Sequence, residues 1–213
     1  MRAILLIFAS VFLMFCPTTS VAQSSQCRGD FNGNGQVTVD EILTSVNNAL
    51  NGCPPPGARF VDNGDGTITD TKTALMWEKK SDDSGIHDQD DTYTWSSSGS
   101  PANGTTFTTF LATLNQNSFA GHQDWRLPSA AELQTLLDYT AFAPAIDAAF
   151  NAGCDVDCAL TTCSCTGLGY YWSSTTIADQ PDLALSVDFN YGLANLFEKT
   201  LPAGYVRAVR GGQ

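Results

Sequence analysis

The chain has 213 residues, of which 43% are hydrophobic and 15% are charged, with 10 Lys and Arg against 22 Asp and Glu. The apolar fraction is that of a globular protein and argues against a disordered acidic tail or a fibrous repeat. A formal net charge of -12 at pH 7 disfavours nucleic acid and anionic lipid as partners, because both require a basic face. Cations are the partners that this charge favours.

The N-terminus has the pattern of a secretory signal peptide at residues 1–22. Arg2 precedes an apolar run that ends at Phe15, and small residues close the segment. The run is too short to span a bilayer comfortably. We therefore predict cleavage after Ala22 and export to the periplasm, the cell surface or the medium, without insertion of the mature chain into the membrane. A lipoprotein anchor on Cys16 is the alternative, but Phe15 is bulky where such sites carry a small residue.

The mature chain keeps six cysteines, and an even number in an exported protein indicates disulfide bonds. Cys27 and Cys53 would close one N-terminal loop. The other four lie within twelve residues, where a zinc site is the competing interpretation. We favour disulfides, because export places the chain in an oxidising compartment and the spacing lacks paired CxxC motifs. The pairing stays open for these four residues, which are Cys154, Cys158, Cys163 and Cys165.

Three regions follow the signal peptide. Residues 27–53 form a short unit bounded by cysteines, residues 54–57 form a Pro-rich linker, and residues 58–213 suit one domain. In the domain, periodicity predicts strands, then two helices, then strands again, which indicates an α+β fold with antiparallel strands.

The first half of the domain has the clearest element boundaries. Phe60-Val61 and residues 67–69 predict a hairpin, and residues 74–77 predict a third strand. Residues 81–105 are rich in Ser, Asp, Gly and Thr and predict an exposed loop.

Two helices and more strands follow that loop. Apolar residues at helical spacing from Phe107 to Leu114 predict the first helix, and Ser129 with Glu132 forms a capping box that begins the second. The last third predicts strands at residues 170–172, 183–189 and 205–210.

The strongest chemical signal is a calcium loop at residues 30–41. The segment matches the twelve-residue EF-hand pattern at every constrained position, including glycine at position 6. We therefore predict Ca²⁺ as a cofactor of the N-terminal unit. The predicted ligands are oxygen donors, namely Asp30, Asn32, Asn34, Gln36 through its backbone carbonyl, Thr38 and Glu41.

A helix is predicted directly after the calcium loop. Its apolar stripe comprises Ile42, Leu43, Val46, Ala49 and Leu50. A loop with an exiting helix and no entering helix resembles one repeat of a dockerin. Dockerins usually carry two repeats, so the resemblance favours a calcium-stabilised structural unit over docking to a cohesin-type partner.

A second acidic segment is interpreted as a solvated loop, with a further metal site as the alternative. Its residues lie within the loop predicted at 81–105 and comprise Asp82, Asp83, His87, Asp88, Asp90 and Asp91.

Separated motifs of the domain occur in a characteristic order. They are T-A-L-M-W at residues 73–77, D-W-R-L-P-S-x-x-E-L at 124–133, Y-W-S-S at 171–174, V-D-F at 187–189 and Y-V-R-A-V-R-G at 205–211. In that order they resemble the Lcl C-terminal domain family, a secreted bacterial module, over about residues 59–211. The resemblance implies a C-type-lectin-like fold and a binding or adhesion role toward a glycan or protein at a cell surface or matrix.

Residues typical of a catalytic site are missing from the motifs. His87 and His122 are the only histidines, and no serine elbow or metalloprotease motif accompanies them. We expect a non-catalytic binding protein whose Trp77, Trp125 and Trp172 lie in the core. The alternatives are an assembly subunit that docks through its dockerin-like repeat, as in polysaccharide degradation, and an enzyme of the sulfatase-modifying-factor fold, which the family fold also resembles.

Two further features concern sugar binding. Gln180-Pro181-Asp182 matches the triplet that galactose-binding C-type lectins use around calcium, which makes Gln180 and Asp182 candidate ligand residues, although the companion Trp-Asn-Asp is missing. Aromatic residues could stack on a sugar if they are exposed; the candidates are Tyr93, Trp95, Tyr170 and Tyr191.

Overall fold

The computed structural model describes residues 36–51, 57–201 and 204–211. The predicted signal peptide, Cys27, Cys53 and the calcium ligands Asp30, Asn32 and Asn34 lie outside these residues. The first described element is the helix α1 (Val39–Asn51), which matches the helix expected after the calcium loop.

The domain is built on two antiparallel sheets. The first contains β1 (Phe60–Asp62), β2 (Thr67–Asp70), β3 (Leu75–Glu78) and β7 (Val209–Arg210), in that spatial order. The second contains β4 (Tyr170–Ile177), β5 (Gln180–Asp188) and β6 (Leu193–Glu198), also in that order. The predicted hairpin is β1–β2, with Val61 opposite Thr69. Antiparallel sheets with few helices agree with the α+β class.

Of the two predicted helices, the first has a different helical type at its start and the second is shorter than predicted. The first is a π-helical turn, Thr106–Leu111, that continues as α2 (Ala112–Gln116), and the capping-box helix α3 covers only Ala130–Gln134. The wide turn buries Thr106, Phe110 and Leu111 together, a spacing that fits the π period better than the α period. Short 3₁₀ turns complete the connections at Phe119–Gly121 and Ala148–Phe150.

The core consists of two hydrophobic clusters. One joins the first sheet to α3 and the second sheet and includes Trp77. The other packs the π-helical segment against the opposite part of the second sheet and includes Trp125 and Trp172. All three tryptophans are buried, as expected.

Three expectations differ from the structure. Strand β6 was not predicted, because five of its six residues are exposed and no alternation appears in the sequence. The last strand, β7, is only two residues long, since the preceding residues form isolated contacts, such as the bridge from Tyr205 to Tyr171 of β4, instead of a continuous ladder. The segment predicted as an exposed loop also places Tyr93 and Trp95 in the core. Within the described residues, no helix is long and apolar enough to cross a membrane.

Candidate functional site

A buried charged centre lies at the end of β3. The Oε1 atom of Glu78 lies 3.1 Å from the Lys80 ammonium and 2.7 Å from His87 Nδ1, and Oε2 accepts the Ala208 N–H at 2.8 Å. Burial acts to raise the pKa of Glu78, but Lys80 and His87 outweigh it, so the pKa lies below its usual value. Because both carboxylate oxygens of Glu78 contact groups inside the protein, the role of Glu78 is to stabilise the fold.

Arg207 extends this centre toward the cysteine-rich segment. Its guanidinium donates to the Glu78 carbonyl at 2.8 Å, to the Cys165 carbonyl at 2.6 Å and to Thr166 Oγ1 at 3.0 Å. Arg207 is fully buried, so these contacts replace water around its charge. Within the domain, Arg207 therefore connects its own C-terminal segment to the end of β3 and to the segment of Cys165 and Thr166.

The four clustered cysteines form two disulfides, Cys154–Cys165 and Cys158–Cys163. Disulfide formation, the favoured interpretation over zinc, is therefore confirmed for these four residues. The Cys165 N–H donates to the Lys80 carbonyl at 2.8 Å, which anchors the disulfide-linked segment to the end of β3.

The acidic loop that follows Lys80 brings three carboxylates together. Oxygens of Asp82, Asp88 and Asp90 lie within 4.8 Å of one another, a group that could hold a metal ion. Asp88 is buried, which differs from the expected solvated loop, because its oxygens accept the N–H groups of Ser84 and Asp90. Burial and the neighbouring carboxylates, Asp88 first, raise the pKa of Asp90.

The Gln180-Pro181-Asp182 triplet begins β5 beside a lysine. The Lys199 ammonium donates to the Pro181 carbonyl at 2.8 Å and to Thr176 Oγ1 at 2.8 Å, and it lies 3.8 Å from the centre of the Trp95 ring. Gln180 and Asp182 are both exposed. The buried Lys199 ammonium therefore contacts the backbone of this candidate calcium loop.

Of the predicted EF-hand ligands, Gln36, Thr38 and Glu41 are described. Glu41 Oε2 accepts the Thr38 N–H at 2.8 Å and its hydroxyl at 3.0 Å, which caps the first turn of α1. The C-terminal part of the predicted loop is thus joined directly to the helix start.

The largest exposed aromatic side chains of the described domain lie together. Tyr139, Phe142 and Tyr191 are 77%, 73% and 58% exposed. The Phe142 and Tyr191 ring centres are 5.9 Å apart, and the Tyr139 ring lies 3.3 Å from where a Cβ on Gly192 would stand. We call these three residues the aromatic platform.

Backbone hydrogen bonds hold the two loops of the aromatic platform in place. The Ala143 N–H donates to the Asn190 carbonyl at 3.4 Å, and the Ala145 N–H donates to the Phe189 carbonyl at 2.6 Å. Within the first loop, Asp138 Oδ1 accepts the Thr140 N–H and hydroxyl at 2.8 and 2.6 Å. The rings therefore project from backbone that is fixed by its own contacts.

The sequence identified only one member of the aromatic platform. Of the four stacking candidates, Tyr93 and Trp95 are buried, Tyr170 is half-buried and Tyr191 is exposed. Tyr139 and Phe142 were missed, although two large aromatic residues in a turn-rich segment that follows a helix were a usable signal.

The residues that build most of this domain match a known family. The family model of the Lcl C-terminal domain matches residues 66–210. The chain belongs to the Lcl C-terminal domain family. The match runs from the β1–β2 turn to β7 and so includes the second sheet, the other three strands of the first sheet, the disulfides and the aromatic platform, whereas α1 and β1 lie outside it. Neither a curated protein nor a solved structure matches the chain.

Proposed function

We propose that this protein is an exported, non-catalytic binding module that recognises a neutral glycan through the aromatic platform. The observation that carries the proposal is the grouping of Tyr139, Phe142 and Tyr191, which come from two loops and share one exposed surface. Large aromatic side chains gain free energy by burial, so a fixed exposed group of them is typical of an interaction site.

The chemistry of the aromatic platform suits a sugar. A pyranose ring offers an apolar face of C–H groups and a rim of hydroxyls, and Tyr combines a flat apolar ring with a polar tip. Around the rings, exposed Thr140 and half-buried Asn190 supply polar groups. A sugar ring could therefore stack on the aromatic rings while its hydroxyls meet polar groups at the edge.

Charge selects the kind of glycan. The chain has a formal net charge of -12, and Asp138 lies beside Tyr139 with its pKa held below the usual value by hydrogen bonds from Thr140. An ionised carboxylate at the edge of the aromatic platform repels sulfate and uronate groups. Neutral hexoses and N-acetylhexosamines are the favoured ligands over acidic polysaccharides.

A binding screen tests this proposal. The mature protein is applied to immobilised neutral oligosaccharides, with heparin as the anionic comparison. Loss of an aromatic contact worth about 1 to 2 kcal/mol weakens binding about 5- to 30-fold, which is the expected effect of Tyr191→Ala and of Phe142→Ala.

Two control variants separate stacking from other effects. Tyr191→Phe keeps the ring and should retain most of the affinity, and Leu168→Ala removes an exposed apolar side chain that is not part of the aromatic platform. Neutral-glycan binding that is equally strong in Tyr191→Ala, Phe142→Ala and the unchanged protein would refute the assignment.

The N-terminal unit supports a second candidate function. Ile42, Leu43 and Val46 of α1 are exposed, and an exposed apolar helix face favours an assembly subunit that docks through its calcium repeat. In that case a cohesin-type partner would be retained in a pull-down with calcium and released by chelator. Glycan binding through the aromatic platform would be insensitive to that partner.

A further inference from the structure

Strand β6 is the outer edge of the second sheet. It pairs with β5 over its whole six-residue length, and in the described part of the chain it pairs with no other strand. Its first four residues are exposed, including Leu193 at 56% and Leu196 at 48%. The edge therefore combines unpaired backbone groups with apolar side chains.

The register shows which backbone groups are unpaired. The Lys199 N–H donates to the Asp182 carbonyl at 2.9 Å, directly after the last pair of the ladder. Hydrogen-bonded positions alternate along an antiparallel pair, so every second residue of β6, beginning with Leu193, bonds to β5. Ala194 and Leu196 consequently direct their N–H and C=O groups away from β5.

This edge lacks the features that usually prevent pairing between sheets. Such features are proline, lysine, a bulge or a very short strand. From Leu193 to Phe197 the strand carries no proline and no charge, and its register with β5 is continuous. By contrast β1, one edge of the other sheet, has three residues and ends at Asp62, which pairs with Lys79.

We propose that β6 pairs with β6 of a second copy of this chain, antiparallel and around a two-fold axis at Asn195. In this register Ala194 of each copy forms a hydrogen-bonded pair with Leu196 of the other. Leu193 of each copy faces Phe197 of the other on the same side of the sheet. The two three-stranded sheets become one continuous sheet of six strands.

The sequence of β6 is complementary to a second β6 in this register. The outward residues Ala194 and Leu196 are symmetric about Asn195, so one register satisfies the edges of both copies at once. Each Glu198 then lies opposite Gly192 of the other copy, and the two Glu198 side chains stand at opposite ends of a strand about 20 Å long. Like charges are therefore kept apart, and the apolar residues lie on both sides of the two-fold axis at Asn195.

Sedimentation equilibrium of the mature chain over a concentration series tests this interface. The unchanged protein should shift to twice the monomer mass as concentration rises. Ala194→Pro should remain monomeric, because the Ala194 N–H points away from β5 and proline there blocks the outer edge without removing a β5–β6 hydrogen bond. Leu196→Lys should also remain monomeric, since the charge would lie among the apolar residues beside the two-fold axis.

Matched controls keep the test specific. Leu168→Lys makes the same substitution at an exposed leucine outside β6 and should dimerise like the unchanged protein. Circular dichroism and the thermal midpoint show whether each variant is folded. A protein that stays monomeric at every concentration, or a dimer that survives both Ala194→Pro and Leu196→Lys in folded form, overturns the proposal.

A cysteine crosslink tests the register itself. In the proposed dimer, Asn195 of one copy lies opposite Asn195 of the other as a non-hydrogen-bonded pair. The Cα atoms of such a pair lie about 4.5 Å apart, within the range that a disulfide spans. Asn195→Cys should therefore yield a reducible covalent dimer on a non-reducing gel, and Leu168→Cys should not. A persistent dimer in which Asn195→Cys does not crosslink contradicts pairing through β6.

Discussion

The ring of Phe142 lies 5.9 Å from the ring of Tyr191, although the two residues belong to different loops. Phe142 lies in the loop after α3, and Tyr191 lies in the turn between β5 and β6. Neither loop alone presents the paired rings. The surface therefore depends on the hydrogen bonds that join the loops, from Ala143 to Asn190 and from Ala145 to Phe189.

Gly192→Ala should destabilise the domain more than an ordinary glycine substitution. Gly192 has φ of +71°, and a Cβ there would stand 3.3 Å from the Tyr139 ring. The left-handed conformation alone costs a residue with a side chain about 1 to 2 kcal/mol, and crowding against Tyr139 adds to it. Urea unfolding of the unchanged and substituted proteins measures the difference.

Gly121→Ala is the matched control for this prediction. Gly121 has φ of +80° and no atom within 4 Å of the added Cβ, so only the backbone cost applies. In the double variant Gly192→Ala/Tyr139→Ala the extra loss should disappear. Equal losses for Gly192→Ala and Gly121→Ala would show that Tyr139 does not pack on the β5–β6 turn.

The ion pair between Arg126 and Glu132 should make the stability depend on pH. Two guanidinium hydrogen bonds, at 2.9 and 2.6 Å, act with the Ser129 N–H to hold the pKa of Glu132 below its ordinary value. A carboxyl with a lowered folded pKa stabilises the protein above its unfolded pKa. The contribution is lost as pH falls below about 4.5 and through the folded value.

Glu132→Gln should therefore reduce the loss of stability at acidic pH, which is the acid limb of the stability curve. Thermal midpoints measured from pH 7 to pH 3 should fall less steeply in Glu132→Gln than in the unchanged protein. Glu198→Gln, at an exposed position at the end of β6, should leave the limb unchanged. An acid limb of equal steepness in Glu132→Gln would exclude this pair as a source of the pH dependence.

Calcium binding should require both ends of the predicted loop. The unchanged mature chain should bind one Ca²⁺ with a dissociation constant of about 10⁻⁵ to 10⁻³ M, as expected for an extracellular module. Asp30→Ala should abolish the heat of binding in isothermal calorimetry. Glu41→Gln should do the same while it keeps an oxygen that can accept the Thr38 N–H, so helix capping and metal binding are separated.

The acidic loop supplies the control for calcium. Asp90→Ala removes one member of the Asp82, Asp88 and Asp90 group and should leave the calcium titration unchanged. A titration that is lost in Asp90→Ala but retained in Asp30→Ala would move the calcium site from residues 30–41 to the acidic loop.

Local chemistry explains why some features of this fold were predictable. The capping box of Ser129 and Glu132 and the β1–β2 hairpin depend on residues a few positions apart, and both occur as expected. The buried tryptophans were also predictable, because large apolar rings are strongly driven out of water. Arg126 and Glu132, six positions apart, form an ion pair.

Other features depend on contacts between distant segments. Lys199 is buried against Trp95 and Pro181, and Glu78 holds the backbone of Ala208; no local pattern distinguishes these residues from solvated charges. The predicted α-helix begins as a π-helical turn, because burial of Phe110 and Leu111 in the same cluster decides its period.

The sequence by itself determined the family, the α+β class, disulfide formation by the four cysteines of residues 154–165 and the core tryptophans, since these follow from short motifs and residue chemistry. Only the tertiary structure decided which cysteines pair, which aromatic rings reach the surface and which strand forms the open edge. The physical reason is that the exposure of a side chain depends on which residues pack around it in the folded protein. Tyr93 and Tyr191 are the same residue type, and only their neighbours bury one and leave the other exposed.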